Sequence, residues 1–221
     1  EDWSNGMIHS PQYVFDMMDA LSCGPIRRFM IPDTLGILNP DNTYAFCSEM
    51  IRRYPDVRFD FHAHNDYDLA VANVMAAVKA GVHGIHTTIN GLGERAGNAP
   101  LSSVIAVLND QIKTPNGVVE RRINHVSRVV ETYTGVHIPA NKPVVGENVF
   151  TQCAGIHADG DNKDNLYYND LLPERFGRVR EYALGKMSGK ANIRKNLDAL
   201  GIDLDEESMR KVTERIIELG D

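Results

Sequence analysis

The chain has 221 residues and a formal net charge of −7, which allows one large domain or one domain with an appendage. The acidic balance argues against nucleic acid or an anionic membrane as a partner. No apolar run approaches the ~20 residues of a membrane span, and we expect no signal peptide. Cys23, Cys47 and Cys153 are far apart, so we expect a cytoplasmic protein with reduced thiols.

The first half of the chain alternates predicted strands and helices. Strands are predicted over residues 27–34, 57–64 and 82–89, and helices over residues 10–24, 39–54, 69–81 and 98–110. Each helix that follows a strand leads into the next strand, with a repeat of about thirty residues. This alternation is typical of right-handed βα units in a parallel sheet, so the predicted fold class is α/β.

The second half changes character after the Asn116–Gly117 turn. Helices are predicted over residues 118–133, 174–200 and 205–219, with loops rich in Gly, Asn and Asp between them. No strand periodicity is visible after residue 150. We therefore expect an α/β part over residues 1–115 and a helical appendage over residues 116–221.

Two histidines, His62 and His64, stand at the end of the strand predicted over residues 57–64. Residues two apart on a strand point to the same face, so these side chains should lie side by side. Paired imidazoles at the carboxyl end of a buried strand can hold a divalent ion at the mouth of an α/β barrel. A histidine pair satisfied by hydrogen bonds has the same spacing, and the spacing alone leaves both interpretations open.

Three further places would have to converge with the histidines. Thr34 follows a predicted strand and could offer its hydroxyl to an anion, although a threonine there is ordinarily a turn residue. Residues 91–98 contain three glycines that let backbone amides approach an anion, or form a tight turn with Asn98 as a helix cap. His157 and Asp159 lie in a glycine-rich loop of the appendage, where such residues are ordinarily solvated.

Several runs of the chain together resemble the α-isopropylmalate, homocitrate and (R)-citramalate synthase family. The runs that carry the resemblance are residues 62–66, 69–73, 88–99 and 155–160, and the similarity extends over essentially the whole chain. Within the family, residues 1–6, 65–69, 149–152 and 165–167 are most similar to (R)-citramalate synthase. The resemblance implies the last part of a TIM (β/α)8 barrel, from the end of the fifth strand, followed by a helical linker subdomain.

The resemblance implies a Claisen condensation of acetyl-CoA with a 2-keto acid in branched-chain amino-acid biosynthesis. The expected 2-keto acid is pyruvate, the substrate of an (R)-citramalate synthase. The alternative enzymes are 2-isopropylmalate synthase and homocitrate synthase. A divalent metal (Zn, Mn or Mg) is expected on His62, His64 and an aspartate of an upstream Arg-Asp-Gly motif, with Asn98 as a further ligand. Thr34 would hold the carboxylate of the keto acid.

The resemblance also implies catalytic roles outside the metal site. Glu1 matches a catalytic carboxylate at the end of the fifth strand. His157 and Asp159 match residues that reach into the barrel of the partner subunit and assist acetyl-CoA activation, which implies a homodimer with composite active sites. Positions near the coenzyme match Asn165, Leu166, Tyr167 and Tyr168. A non-enzymatic alternative is an inactive dimerising fragment.

Overall fold

The computed structural model describes residues 1–154, 159–160 and 169–220. The chain divides into two compact units, Glu1–His137 and Ile138–Asp221. The domain boundary expected after residue 115 falls within the first of these units and stays a prediction. Among the described residues, no helix combines the length and the apolar character that a membrane crossing requires.

The first unit alternates helices and strands in the predicted order. Its strands are β1 (Arg28–Asp33), β2 (Arg58–Ala63) and β3 (Gly84–His86). Its helices are α1 (Trp3–His9), α2 (Pro11–Ser22), α3 (Pro40–Arg53), α4 (Ala70–Ala80), α5 (Leu101–Val107) and α6 (Ile123–Thr134). Helix α3 connects β1 to β2 and α4 connects β2 to β3, so the predicted βα units are confirmed.

The three strands form one parallel sheet in the order β1–β2–β3. The register places Pro32 beside His62, and His62 beside His86. Because parallel strands run in the same direction, the loops that follow β1, β2 and β3 lie along one edge, which we call the rim. In α/β barrels the residues that bind and react are carried on this edge.

Strand β2 has an aromatic face and a polar face. Phe59 and Phe61 are fully buried, and the ring of Phe59 contacts the ring of Tyr54 edge-on at the end of α3. Burial of each such ring stabilises the fold by about 1.5–3 kcal/mol. Asp60 and His62 alternate with these rings and therefore point to the opposite face. The aromatic face thus fixes the position of the strand that carries His62.

Local sequence signals set several helix ends. The side chain of Asn39 accepts a hydrogen bond from the backbone amide of Asn42 at 2.8 Å, which caps the start of α3. Gly81 ends α4 with φ at 101°, in the left-handed region that glycine adopts without strain. Helix α5 begins at Leu101 and not at residue 98, because Asn98 forms an isolated β-bridge instead.

Helix α6 belongs to the first unit because it packs against the loop that follows β3. The side-chain amide of Asn90 donates a hydrogen bond to the backbone carbonyl of Ser127 at 3.0 Å. The helix is shorter than the predicted stretch over residues 118–133, since a separate 3-10 turn at Glu120–Arg122 precedes it. Tertiary contacts of α6 therefore carry the first unit to His137.

The second unit contains a short pair of parallel strands and two described helices. Strand β4 (Thr151–Gln152) pairs with β5 (Glu181–Tyr182), and the helices are α7 (Lys190–Leu200) and α8 (Glu206–Leu219). The prediction of helix throughout residues 174–200, with no strand, is wrong. The 3-10 turn at Pro173–Phe176 ends at Gly177 with φ at 68°, and the chain then extends into β5. The predicted final helix is confirmed.

Candidate active site

His62 and His64 lie side by side at the rim, as predicted. Their ring centroids are 5.0 Å apart and the rings are nearly perpendicular, at 81°. The Nδ1 atoms of both rings are buried and have no hydrogen-bond partner among the described residues. The hydrogen bonds that the alternative interpretation of the pair requires are therefore not made by the described residues. Both nitrogens are instead available to a cation or to a donor from outside the described residues.

Asn98 lies next to this pair and is not a helix cap. It forms an antiparallel β-bridge with His64, and its side-chain amide donates a hydrogen bond to the backbone carbonyl of Leu92 at 3.0 Å. That bond fixes the amide orientation and leaves Oδ1 buried without a partner among the described residues. The prediction that Asn98 caps a helix is wrong, because the residue is extended and held by the strand end opposite.

Two glycines make the position of Asn98 possible. Gly97 has φ at 84°, and a side chain there would collide with the backbone carbonyl of Gly91. A Cβ atom at Gly93 would lie 2.9 Å from Cγ of Asn98 and closer still to its amide nitrogen. The glycines of residues 91–98 thus allow the chain to pack closely around Asn98. A helix cap at Asn98 would not require this packing.

The electrostatic environment of His62 favours its neutral form. Burial lowers the pKa of this imidazole, and the neighbouring His64 and His86 lower it further. A neutral imidazole keeps a lone pair for a metal ion. Asn98 Oδ1 and the two Nδ1 atoms together make a set of nitrogen and oxygen acceptors of the kind that Zn²⁺ and Mn²⁺ accept. The residues present therefore fit a divalent ion.

The set is not a complete metal site within the described residues. Among them, no three His, Cys, Asp or Glu side chains are grouped so that they could hold a metal ion. His86 lies near the pair, with its ring centroid 5.7 Å from that of His62, but its Nε2 atom is 3.7 Å from Oδ2 of Asp60. A carboxylate ligand would have to come from outside the described residues.

Thr34 and the start of the chain meet at the same rim. The hydroxyl oxygen of Thr34 accepts a hydrogen bond from the backbone amide of Asp2 at 2.8 Å. This bond brings the exposed Glu1 close to the loop after β1. The structure thus places two of the predicted site residues, Glu1 and Thr34, near each other.

Sequence reasoning missed an ion pair that joins the loops of the rim. Arg95 Nε lies 2.7 Å from Oδ1 of Asp66, and Arg95 Nη2 lies 3.0 Å from Oδ2. The two residues are 29 positions apart, so no local pattern reports their contact. The parallel βα topology was the available signal for this contact, because it brings the loops after all three strands to one edge of the sheet.

The remaining predicted site residues belong to the second unit. His157, Asn165, Leu166, Tyr167 and Tyr168 lie outside the described residues. Asp159 is described and is partly buried. Their assignments therefore stay predictions.

Comparison with known families covers both units. Residues 7–130 match the family model described as HMGL-like. Residues 144–221 match the model described as homocitrate synthase post-HMGL domain-like.

Curated relatives match nearly the whole chain. The chain is 40% identical over 211 residues to a Methanopyrus kandleri protein named as an (R)-citramalate synthase, covering 95% of the chain and 42% of that protein. It is 39% identical to a 2-isopropylmalate synthase so named from the same organism, with the same coverages. It is also 39% identical to a homocitrate synthase of Sulfolobus acidocaldarius, covering 93% and 44%. The chain thus spans less than half the length of these relatives.

Solved structures show the same fold. An HMG-CoA lyase from Acinetobacter baumannii matches with a TM-score of 0.54 at 23% identity, covering 59% of the chain and 44% of that structure. An HMG-CoA lyase from Bacillus subtilis matches with a TM-score of 0.53 at 22% identity, covering 58% and 45%. The predicted α/β class, with part of a TIM barrel followed by a helical region, is confirmed.

Proposed function

Because the chain belongs to the HMGL-like family and, within it, to the α-isopropylmalate, homocitrate and (R)-citramalate synthases, we propose a synthase function for the complete protein. Specifically, we propose that it is an (R)-citramalate synthase. The overall reaction would join acetyl-CoA, pyruvate and water to give citramalate and free coenzyme A. A new bond forms between the acetyl methyl carbon and the ketone carbon of pyruvate. Hydrolysis of the thioester then releases the coenzyme.

One observation carries the proposal. His62 Nδ1, His64 Nδ1 and Asn98 Oδ1 are buried acceptor atoms without partners among the described residues. An unsatisfied buried polar group costs about 1–3 kcal/mol, so each of these acceptors gains from a partner outside the described residues. We assign His62, His64 and Asn98 to a divalent metal ion. When bound, such an ion would supply Lewis-acid polarisation of the ketone oxygen.

The chain's own residues would bind and orient the keto acid. Thr34 Oγ1 accepts from the amide of Asp2, so its proton is directed elsewhere and can be donated to the carboxylate of the acid. Glu1, adjacent to that amide, is assigned as a catalytic carboxylate of the rim. The neutral form favoured at His62 suits a role as ligand rather than as acid.

Residues of the second unit are assigned to acetyl-CoA. We place His157 and Asp159 at its activation and Asn165, Leu166, Tyr167 and Tyr168 along the coenzyme. We further propose that the complete protein is a homodimer in which these residues serve the barrel of the partner copy. This arrangement would make each active site composite.

The preference for pyruvate rests on sequence resemblance. Residues 65–69 and 165–167 are most similar to citramalate synthases. The identities to the three kinds of synthase, 40%, 39% and 39%, do not separate them. The alternatives are 2-ketoisovalerate, the acid used by 2-isopropylmalate synthase, and the acid used by homocitrate synthase.

A coenzyme-release assay on the complete protein tests the substrate. Initial rates would be compared for pyruvate, 2-ketoisovalerate and 2-ketoglutarate at equal concentrations. We expect the highest kcat/KM with pyruvate. A preference of more than about tenfold, or 1.4 kcal/mol in transition-state stabilisation, for either larger acid would contradict the assignment.

Metal content tests the site independently of turnover. His62→Ala in the complete protein should lower bound Zn or Mn sharply and abolish condensation. His9→Ala, which removes an exposed histidine of α1, is the matched control and should change neither. Undiminished metal content in His62→Ala would remove the ligand assignment. A complete protein that binds no metal and condenses no acid would favour the non-enzymatic alternative, in which the chain serves only in dimerisation.

A further inference from the structure

A single arginine side chain connects the loops that follow all three strands of the sheet. Arg95, in the loop after β3, forms two parallel hydrogen bonds with the carboxylate of Asp66, in the loop after β2, at 2.7 and 3.0 Å. Its Nη2 also donates to the backbone carbonyl of Thr34, in the loop after β1, at 2.7 Å. We call Arg95, Asp66 and the Thr34 carbonyl the rim clamp.

The backbone around the rim clamp is shaped for it. Gly36 has φ at 60°, and a Cβ atom there would lie 2.7 Å from Oδ2 of Asp66 and 2.9 Å from its backbone nitrogen. Only glycine therefore lets the loop after β1 approach Asp66 this closely. Arg95 itself has φ at 54°, a conformation that costs a residue other than glycine about 1–2 kcal/mol. Its three hydrogen bonds offset that strain.

The rim clamp is tied to the candidate metal ligands on both sides. Asp66 follows His64 by two residues, and Arg95 precedes Asn98 by three. Between these points the two loops are joined directly, since the backbone amide of Asn65 donates to the carbonyl of Gly97 at 2.9 Å and His64 bridges to Asn98. A displacement of Arg95 would therefore move both ligand-bearing loops.

The rim clamp contains an ion pair between Arg95 and Asp66, and Oε2 of Glu94 lies 3.8 Å from Nη1 of the same arginine. The guanidinium of Arg95 meets the carboxylate of Asp66 directly, with Nε 2.7 Å from Oδ1. The side chains of Arg95 and Asp66 are 38% and 23% exposed, which shields the pair partly from water. A bidentate pair of this kind fixes geometry that a lysine, with one point charge, cannot reproduce.

We propose that Arg95 is a positioning residue, which acts through Asp66 and the Thr34 carbonyl to hold the two ligand-bearing loops and the keto-acid loop in one arrangement. The proposal rests on the proposed function and adds to it a residue that touches neither metal nor substrate. A misplacement of about 1 Å at a reacting centre can lower a rate about a hundredfold. Loss of groups that orient metal ligands typically weakens metal binding about 10- to 100-fold.

The test uses the complete protein with Arg95→Lys and Asp66→Asn, which approach the rim clamp from its two sides. Mn²⁺ alone would be titrated into metal-free wild type and both variants by calorimetry, and kcat and KM for pyruvate would be measured separately. We expect Mn²⁺ affinity to fall by about tenfold or more in each variant. Because the two residues act as one unit, the Mn²⁺ affinity of the double variant should be no lower than that of the single variant with the lower affinity.

A surface arginine provides the control. Arg128→Lys removes a guanidinium whose Nη1 lies 2.8 Å from Oε2 of Glu131 on α6, so the chemical change is the same outside the rim clamp. This variant should keep wild-type affinity for Mn²⁺. Melting temperatures of all variants would show whether a fall in affinity follows general unfolding.

Two results would overturn the proposal, and both differ from a failure of the proposed function. Mn²⁺ affinity within twofold of wild type in both Arg95→Lys and Asp66→Asn would mean that the rim clamp does not position the ligands. A raised KM in Arg95→Lys alone, with unchanged Mn²⁺ affinity, would mean that Arg95 binds substrate directly. A wild-type protein that binds Mn²⁺ but condenses no keto acid would contradict only the proposed function.

Discussion

Gly84 faces the carboxylate of Asp60 so closely that a Cβ atom at Gly84 would lie 2.9 Å from Cγ of Asp60. The two residues are register partners in adjacent parallel strands. Asp60 is only 5% exposed, and its Oδ2 accepts a hydrogen bond from Nε of Arg28 at 2.6 Å. The glycine therefore leaves room for an ion pair on the face of β2 that also carries His62.

Replacing this glycine should destabilise the sheet. In Gly84→Ala the new methyl group would displace the carboxylate of Asp60 and would also lie 3.1 Å from Nη2 of Arg28. We expect a loss of about 1–3 kcal/mol in the free energy of unfolding, as for overpacking elsewhere, measured by urea denaturation of the complete protein. Gly117→Ala is the control, because nothing lies within 4 Å of a Cβ atom there. Equal stability of the two variants would contradict the prediction.

The three cysteines should differ sharply in reactivity. Cys47 is fully buried, and burial raises the pKa of its thiol to about 12, so the thiolate is scarce at pH 8. Cys23 and Cys153 are exposed. Brief iodoacetamide treatment of the native protein, followed by peptide mass mapping, should modify the last two and spare Cys47. Modification of Cys47 at a rate similar to theirs, with the protein still folded, would refute its placement.

The phenol of Tyr54 should stabilise the fold up to high pH. Its hydroxyl lies 2.8 Å from Oδ1 of Asp19 and 3.1 Å from the carbonyl of Phe15. Burial, followed by the hydrogen bond with Asp19, raises its pKa to about 12, above the value near 10 of an unfolded chain. The stabilisation is therefore complete below about pH 10 and is lost as pH rises through 12.

Tyr54→Phe tests this pH dependence. Near neutral pH the variant should lose about 0.5–1.5 kcal/mol in the free energy of unfolding, because both acceptors lose their donor. The difference between wild type and variant should stay constant to about pH 10 and shrink above it. Denaturant unfolding from pH 8 to pH 12 measures the difference. A difference that grows with alkaline pH would have the wrong sign.

The proposed composite site predicts complementation between two inactive variants. Complete chains with His62→Ala and complete chains with His157→Ala should each be inactive as homodimers. A mixed dimer has one site with both histidines intact and one site with neither, since a contribution across a twofold axis is made twice. Random co-assembly should then restore about a quarter of wild-type activity. Mixed dimers that form but stay inactive would assign His157 to its own barrel or to no site.

The sequence predicts the part of the site that depends on periodicity. The alternation in residues 57–64 places His62 and His64 on one face, and the rings are indeed adjacent. The βα alternation predicts the common rim, where Thr34 and Asn98 also lie. These predictions succeed because strand period and parallel topology follow from local pattern.

Features that depend on tertiary packing were not predictable in the same way. Asn98 is a good helix cap by residue type, but its bridge to His64 takes precedence. The pairing of Arg95 with Asp66 has no local signal, because charged residues are common on loops. Helix α6 joins the first unit through a hydrogen bond from Asn90, which no composition shift near residue 115 reveals.

The sheet that carries the site has two open sides in the described structure. Strand β1 and strand β3 each pair only with β2 among the described residues, and Met30 of β1 is 47% exposed. The unpaired edge of a strand readily forms backbone hydrogen bonds with another chain. Pro32 has no amide proton and so prevents such a hydrogen bond at only one position of β1. We therefore expect a preparation limited to these 221 residues to self-associate as its concentration rises. Biophysical work on the rim should accordingly begin from the complete protein.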